Sequence, residues 1–387
     1  MLIGLATLWP LPALEPSEGI PGIRLTVQPA DLARNLLLFV PVGALMFRYP
    51  AILAVLGASA LSLSIELIQV WLPGRVASPW DVAGNVWGVW FGWAMARAVH
   101  QHGCLDALLM RRAHVAWSVL AGSLLIATAV LFRTAIPDPP HFAQRNPNFG
   151  KLEPYSGAVE SVWLDEQAVP HGSVTIEDFA ARITGPHTLI VRGRVGLQPS
   201  RLSSPLIFTD ETGTEVAILA VHGDDILYRV STIGMRLGFD YPFIWWRGAL
   251  APLRPGSDLD VRVERSRHSL CLEIAGRVRC GLAPGLADGW QNWIPAGRLD
   301  ARGQRVFEAL WFAGLFVPLG FGLRRRPLEI LCVAAVIAIA LLLPWIGPVE
   351  SIAPGTLFAI GVCLTIGALL RAVVARRGLA RTVARDV

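Results

Sequence analysis

The stretch Asp31–Gly92 reads DLARNLLLFVPVGALMFRYPAILAVLGASALSLSIELIQVWLPGRVASPWDVAGNVWGVWFG. Its apolar runs are of bilayer-crossing quality, yet it carries Asp31, Arg34, Asn35, Glu66, Gln69, Arg75, Asp81 and Asn85. A charged side chain at the centre of a bilayer-spanning helix costs about 2.5–3.5 kcal/mol on insertion scales, so the default reading of such residues is a functional site. Asp31 and Asn35 lie four residues apart, Glu66 and Gln69 three apart with Ser62 one turn earlier, and Asp81 and Asn85 four apart. On helices each pair shares a face. Three helices therefore each present one polar face at the same end, and the cheapest arrangement turns those faces inward, where they satisfy one another.

Local chemistry sharpens this picture. Gly88 and Gly92 form a face that lets a neighbouring helix approach closely, and Gly43 and Gly57 read the same way. Pro41 kinks its helix and frees a carbonyl near the site. In the connection Pro73–Asp81, Ser78 is suited to cap a helix that has Pro79 at its first position and Asp81 in its first turn. Arg75 has no such local account. Its guanidinium suits either a bidentate grip on phosphate or carboxylate, or a structural ion pair with Asp81 or Glu66.

Working outward, composition agrees. The chain of 387 residues is 53% apolar and 16% charged, with mean hydropathy +0.50, against roughly 25% charged in soluble domains. That places it among integral membrane proteins. The net charge of +5 comes almost wholly from Arg, since Lys151 is the single lysine. The basic residues sit in short loops and in the C-terminal tail, a pattern of topology control that argues against a nucleic-acid partner. The five cysteines show no metal spacing, so no metal or cofactor is expected. Cys332 and Cys363 read as packing residues. Cys271 and Cys280 flank two short strands around an Ala275-Gly276 turn, and read either as a disulfide pair or as two free thiols.

Seven segments are expected to span a bilayer: Asn35–Phe47, Ala51–Leu72, Trp80–Val99, His114–Phe132, Phe307–Leu323, Leu328–Ile346 and Pro354–Val374. The first gains length if it extends back to Asp31. The opening run Met1–Leu8 is too short to span and reads as a truncated helix. Arg48, Arg97, Arg111, Arg112, Arg324–Arg326 and the basic tail fall on one side, expected to be cytoplasmic. Asp31, the Pro73–Pro79 loop and a long insert fall on the other, where Arg34, Arg75 and Arg133 are exceptions that each ask for a local reason.

The insert, about Thr134–Arg302, is different material. Alternating stretches such as Thr188–Val195, Glu215–Val221, Ile226–Val230 and Leu259–Val263 are punctuated by Gly, Pro, Asp and Ser, which predicts an all-β sandwich. Pro137–Pro140 and Pro295–Arg302 read as its tethers. The expected organisation is a transmembrane domain over residues 1–135, an extracytoplasmic β-sandwich over 136–303, a second transmembrane part over 304–375 and a basic cytoplasmic tail over 376–387. That second part is a candidate parallel repeat of the first. LLFVPVGALM (Leu37–Met46) and LFVPLGFGL (Leu315–Leu323) are each followed by a basic turn with a proline and a long apolar helix. The second copy lacks counterparts of Glu66, Gln69 and Asn85.

Three blocks carry a family resemblance. They are Asp31, Asn35, Phe39, Pro41 and Gly43; then Glu66, Gln69, Pro73 and Arg75; then Ser78, Asp81, Asn85, Gly88 and Gly92. Over about Leu5–Arg97 this resembles the VanZ-like family of bacterial membrane proteins, named for a protein that confers teicoplanin resistance. The resemblance implies a cell-envelope role in the bacterial inner membrane and little about mechanism. The insert resembles a concanavalin A/laminin-G-like jelly roll, on Gly172–Ile176 and Leu227–Thr232. That likeness implies a carbohydrate-facing surface, with Trp245-Trp246 and Trp290–Trp293 as stacking candidates and Asp210-Glu211 and Asp224-Asp225 as oxygen pairs of the kind calcium takes, or as ordinary turns.

The leading expectation is therefore a recognition protein. Asp31, Asn35, Glu66, Gln69, Arg75, Asp81 and Asn85 would engage a membrane lipid or lipid-linked glycan. The alternatives are an enzyme acting on a phosphate-bearing envelope lipid, with the carboxylates as acid and base, and a scaffold whose polar groups only lock the bundle.

Overall fold

The computed structural model describes residues 27–70, 77–102, 107–148, 152–240, 243–266, 269–293, 301–324 and 326–383. The chain divides into two compact units: residues 1–114 with 237–239, and residues 115–236 with 240–387.

The first unit holds α1 (Pro29–Leu45), α2 (Ala51–Val70) and α3 (Pro79–His102). Prolines set the first turn of α1 and α3, where the missing N–H costs nothing. Phe39, Ala54, Ala58, Ile65 and Val89 form the apolar centre of the three helices. The closest packing is α1 on α3. A Cβ added to Gly43 would overlap the Val89 carbonyl, one on Gly88 would overlap the Leu36 carbonyl, and one on Gly92 would overlap the Val40 carbonyl. Gly57 is not part of this: a Cβ there would meet only the Met46 methyl at 3.5 Å, an ordinary contact.

The second unit receives α4 (Ala107–Leu131), most of which lies within it, and adds α7 (Ala301–Gly322), α8 (Pro327–Ile346) and α9 (Pro354–Val383). Leu125, Phe132, Phe316, Leu319, Val336, Ala340 and Ile360 lie in their shared core. Five helical segments are long and apolar enough to cross a membrane: Ala51–Val70, Met110–Leu131, Arg302–Gly322, Pro327–Ile346 and Pro354–Arg376. Helices α1 and α3 form where spans are expected without reaching that threshold of length and hydropathy, α1 covering 17 residues and α3 carrying Asp81, Arg97 and two histidines.

Between α4 and α7 the chain builds two antiparallel sheets of six strands each. The strands are β1 (His141–Arg145), β2 (Ala158–Leu164), β3 (Gln167–Ala168), β4 (Gly172–Ser173), β5 (His187–Arg194), β6 (Ser203–Asp210), β7 (Glu215–His222), β8 (Asp225–Val230), β9 (Ile244–Trp246), β10 (Asp258–Arg265), β11 (Leu270–Ile274) and β12 (Arg277–Arg279). Short helices α5 (Phe179–Thr184) and α6 (Ile233–Arg236) and a 3₁₀ turn, Leu286–Asn292, interrupt them. One sheet runs β4-β1-β6-β7-β8-β9 and the other β12-β11-β10-β5-β2-β3. Their inner faces share one core, with Leu189, Val191, Val261 and Val263 from one sheet meeting Leu206, Phe208, Leu219 and Tyr228 from the other. Strands β5 and β10 alternate buried and open, as half-buried strands do, whereas β6 and β7 are buried along nearly their whole length. Their outer face carries Ile207, Ile218, Ala220 and Leu227 under Leu152, Leu202, Phe243 and Trp245. Of the stretch Gly172–Ile176 only Gly172 and Ser173 are paired, and the tether expected to reach Arg302 ends earlier, because α7 begins at Ala301.

Candidate functional site

The α1–α3 bundle gathers polar side chains at one end: the start of α1, the end of α2 and the start of α3. On α2, Ser62, Glu66 and Gln69 are all buried. One Glu66 carboxylate oxygen accepts the Ser78 backbone N–H at 2.7 Å, an amide with no intrahelical partner at the start of α3. The Ser78 hydroxyl accepts the Trp80 N–H at 3.3 Å, the capping role expected of it. One turn deeper, the Asn85 side-chain amide donates to the Ser62 hydroxyl at 2.8 Å.

That amide is left half satisfied. Asn85 is 3% exposed, and its Oδ1 has no hydrogen-bond partner. Exchanging the amide's oxygen and nitrogen would move the unpaired end without removing it. A buried polar atom without a partner costs about 1–3 kcal/mol, so Asn85 marks a position with spare hydrogen-bonding capacity inside an apolar bundle.

The other residues divide. Asn35 comes next to this layer, its Cβ 3.2 Å from where a Cβ on Gly84 would stand. Asp31 pairs with Arg34 at 3.4 Å along one turn of α1, which gives Arg34 a local reason to sit there. Gln69 and Asp81 each have interacting partners. Phe39 is fully buried at the α1–α3 contact, and Pro41 lies inside α1. Pro73 and Arg75 lie outside the described residues. Among the described residues no cluster of three metal-ligand side chains occurs.

The β-domain candidates are used structurally. Asp210 accepts the Thr212 and Thr214 amides at 2.9 and 2.8 Å, closing its own turn. Asp225 pairs with Arg247 at 2.6 Å and accepts the Gly248 amide at 2.8 Å. Trp246 is buried, Arg247 stacks on Trp245 with its guanidinium carbon 3.6 Å from the ring centre, and Trp290 packs on Phe307. Trp245, Trp246 and Trp290 are thus occupied as aromatic faces. Cys271 and Cys280 are joined by a disulfide beyond the last β11–β12 pair, Leu272 with Arg279. Sequence reasoning gave no role to Arg133 or Arg265, which meet in a cleft although 132 positions separate them.

No curated protein and no solved structure matches the chain. Residues 4–100 match the family model VanZ/LLP1, which supports the VanZ-like resemblance of that segment and, with the five apolar helices, a membrane protein related to the cell envelope.

Proposed function

We propose that this protein is a recognition component of the bacterial cell envelope, and that the buried polar layer of α1–α3 binds the head group of a lipid-linked or glycan envelope component. Asn85 carries the reading, as a buried amide with an unused acceptor beside Glu66 and Ser62. Asp31, Asn35, Gln69, Asp81 and Arg75 complete the proposed binding set, Arg75 as the contact to an anion. The positive-inside distribution supports an inner-membrane protein with the polar layer, the β-domain and its disulfide outside and the C-terminal tail in the cytoplasm. The proposal includes a jelly-roll role for the β-domain beside the glycan, and an influence on glycopeptide susceptibility.

The test is purification in mild detergent followed by mass spectrometry of co-purifying lipids, for the parent protein and for Asn85→Ala. The expected result is enrichment of a particular head-group-bearing lipid over total membrane lipid, lost in the variant while elution profile and helical content stay unchanged. Bulk phospholipid alone, in equal proportion in both proteins, overturns the reading. Turnover of the bound lipid, abolished by Glu66→Gln with binding retained, would replace it with an enzymatic one.

A further inference from the structure

We propose a second ligand site, independent of α1–α3: a cleft at the ends of α4 and α8 that binds the phosphate of an anionic membrane lipid. The cleft has a volume of about 450 Å³ and lies wholly within the second unit. Arg133 and Thr134 line it just past α4, Arg265 at the end of β10, Thr184 at the end of α5, and Pro344 and Trp345 in the last turn of α8.

Charge is the first argument. The lining contains two arginines and no aspartate or glutamate. Among the described residues neither guanidinium has an ion pair or a side-chain hydrogen bond, whereas Arg229 and Arg247 in the same domain are both paired. Two unneutralised guanidiniums facing one cleft repel each other, and an anion seated between them removes that cost. Each offers a planar fork of donors that matches phosphate oxygens, and the Thr134 and Thr184 hydroxyls add donors of the right kind.

Depth is the second argument, and it selects a lipid over a soluble phosphate. Arg133 follows an apolar segment, Met110–Leu131, and Trp345 ends the most apolar one, Pro327–Ile346, with mean hydropathy 2.5. The ends of α4 and α8 are level, since Gly347 packs directly on the Ala129 backbone. Trp345 is 83% exposed. An exposed tryptophan at the end of a bilayer-length helix belongs at the head-group layer, which is where lipid phosphates lie. The cleft therefore opens beside its ligand's own plane, with the acyl chains left in the bilayer.

The test uses the full-length chain in a neutral detergent. Native mass spectrometry counts retained phosphatidylglycerol, with phosphatidylcholine as the zwitterionic comparison and inorganic phosphate as the soluble competitor. Preferential retention of phosphatidylglycerol is expected, weakened about tenfold by Arg133→Gln and again by Arg265→Gln, as for loss of one charge-assisted contact each, and largely restored by Arg133→Lys. Arg133 is an exposed side chain, so its variant keeps the test decisive if Arg265→Gln fails to fold. Equal retention by parent and Arg133→Gln, equal retention of the two lipids, or displacement of the lipid by equimolar inorganic phosphate overturns the proposal. Asn85→Ala should leave this retention unchanged, which separates failure here from failure of the α1–α3 reading.

Discussion

The Glu66 carboxylate holds the Ser78 backbone amide at 2.7 Å, twelve positions along the chain and one helix away. An acid in an apolar helix is thereby tied to the first turn of the next, where the helix dipole favours negative charge. Glu66→Ala should strand the Ser78 N–H and cost about 1–3 kcal/mol. Glu66→Gln keeps an acceptor and should cost less, and Ser78→Ala should lose about 0.5–2 kcal/mol through the cap. Thermal unfolding in mild detergent ranks the three. Equal midpoints for Glu66→Ala and the parent would remove the structural share of this contact.

Close approach of helices predicts a sharp contrast among glycines. Gly43→Ala and Gly92→Ala push a methyl into a backbone carbonyl that cannot rotate away, so each should destabilise by about 1–3 kcal/mol or more. Gly57→Ala meets only a flexible methionine end and should be neutral or slightly stabilising, since alanine is the better helix former. Crosslinking between cysteines placed on α1 and α3 would report the separation in the first two and none in the third.

Two groups in the second unit should give opposite pH responses. Burial pushes the Asp288 carboxyl up to about 6, against hydrogen bonds from Gly285 and Gln291 and assisted by the Glu350 charge. Between about pH 4 and 6 an unfolded chain would be ionised at this position while the folded one stays protonated, so stability falls as pH rises, by roughly 1–3 kcal/mol, and levels off above 6. His187 is held below its usual range chiefly by burial, a tendency the Arg265 charge reinforces. It stays neutral in the fold while the unfolded chain takes up a proton, so this contribution is lost as pH falls through and below the ordinary histidine range. Melting curves across acidic pH should lose the first slope in Asp288→Asn and the second in His187→Gln.

The β11–β12 turn offers a gain rather than a loss. Ala275 and Gly276 both have positive φ, 50° and 76°, as a type I′ turn requires, and alanine is a poor occupant of that region. Ala275→Asn should stabilise the domain by about 0.5–1 kcal/mol. Replacing Cys271 and Cys280 by serine opens a short loop and should cost about 2–3 kcal/mol. A chemical denaturation midpoint that fails to rise in Ala275→Asn would show that the turn does not limit this hairpin.

How much of this could be read from the chain depends on range. The Ala275-Gly276 turn, the Ser78 cap and strands β5, β7, β8 and β10 are legible to within a residue or two, because turn chemistry and period-two alternation are local signals. Strand β6 escapes, because SSPLIFTD is buried on both faces and so does not alternate; its outer cover comes from Leu152, Leu202, Phe243 and Trp245, none of which its own pattern announces. The same distance problem misreads Trp246 and Trp290 as sugar platforms when other side chains already cover them. At the polar layer, spacing brings Glu66, Ser78 and Asn85 to one end of the bundle, but pairing is not legible: nothing local says that Asn85 takes Ser62 and leaves its oxygen unmatched.

The F-V-P-x-G stretches acquire a shared meaning in three dimensions. Gly43 sits on the Val89 carbonyl and Val40 on Gly92; in α7 and α9, Gly320 sits on the Leu364 carbonyl and Val317 on Gly367, with the same three-residue step between partners. One polypeptide thus presents the same glycine clasp twice, once beside buried acid, amide and hydroxyl groups and once without them. Every copy of the molecule carries its own control: whatever depends on the clasp alone should answer alike to Gly43→Ala and Gly320→Ala, and whatever answers only to the former belongs to the chemistry of Ser62, Glu66 and Asn85.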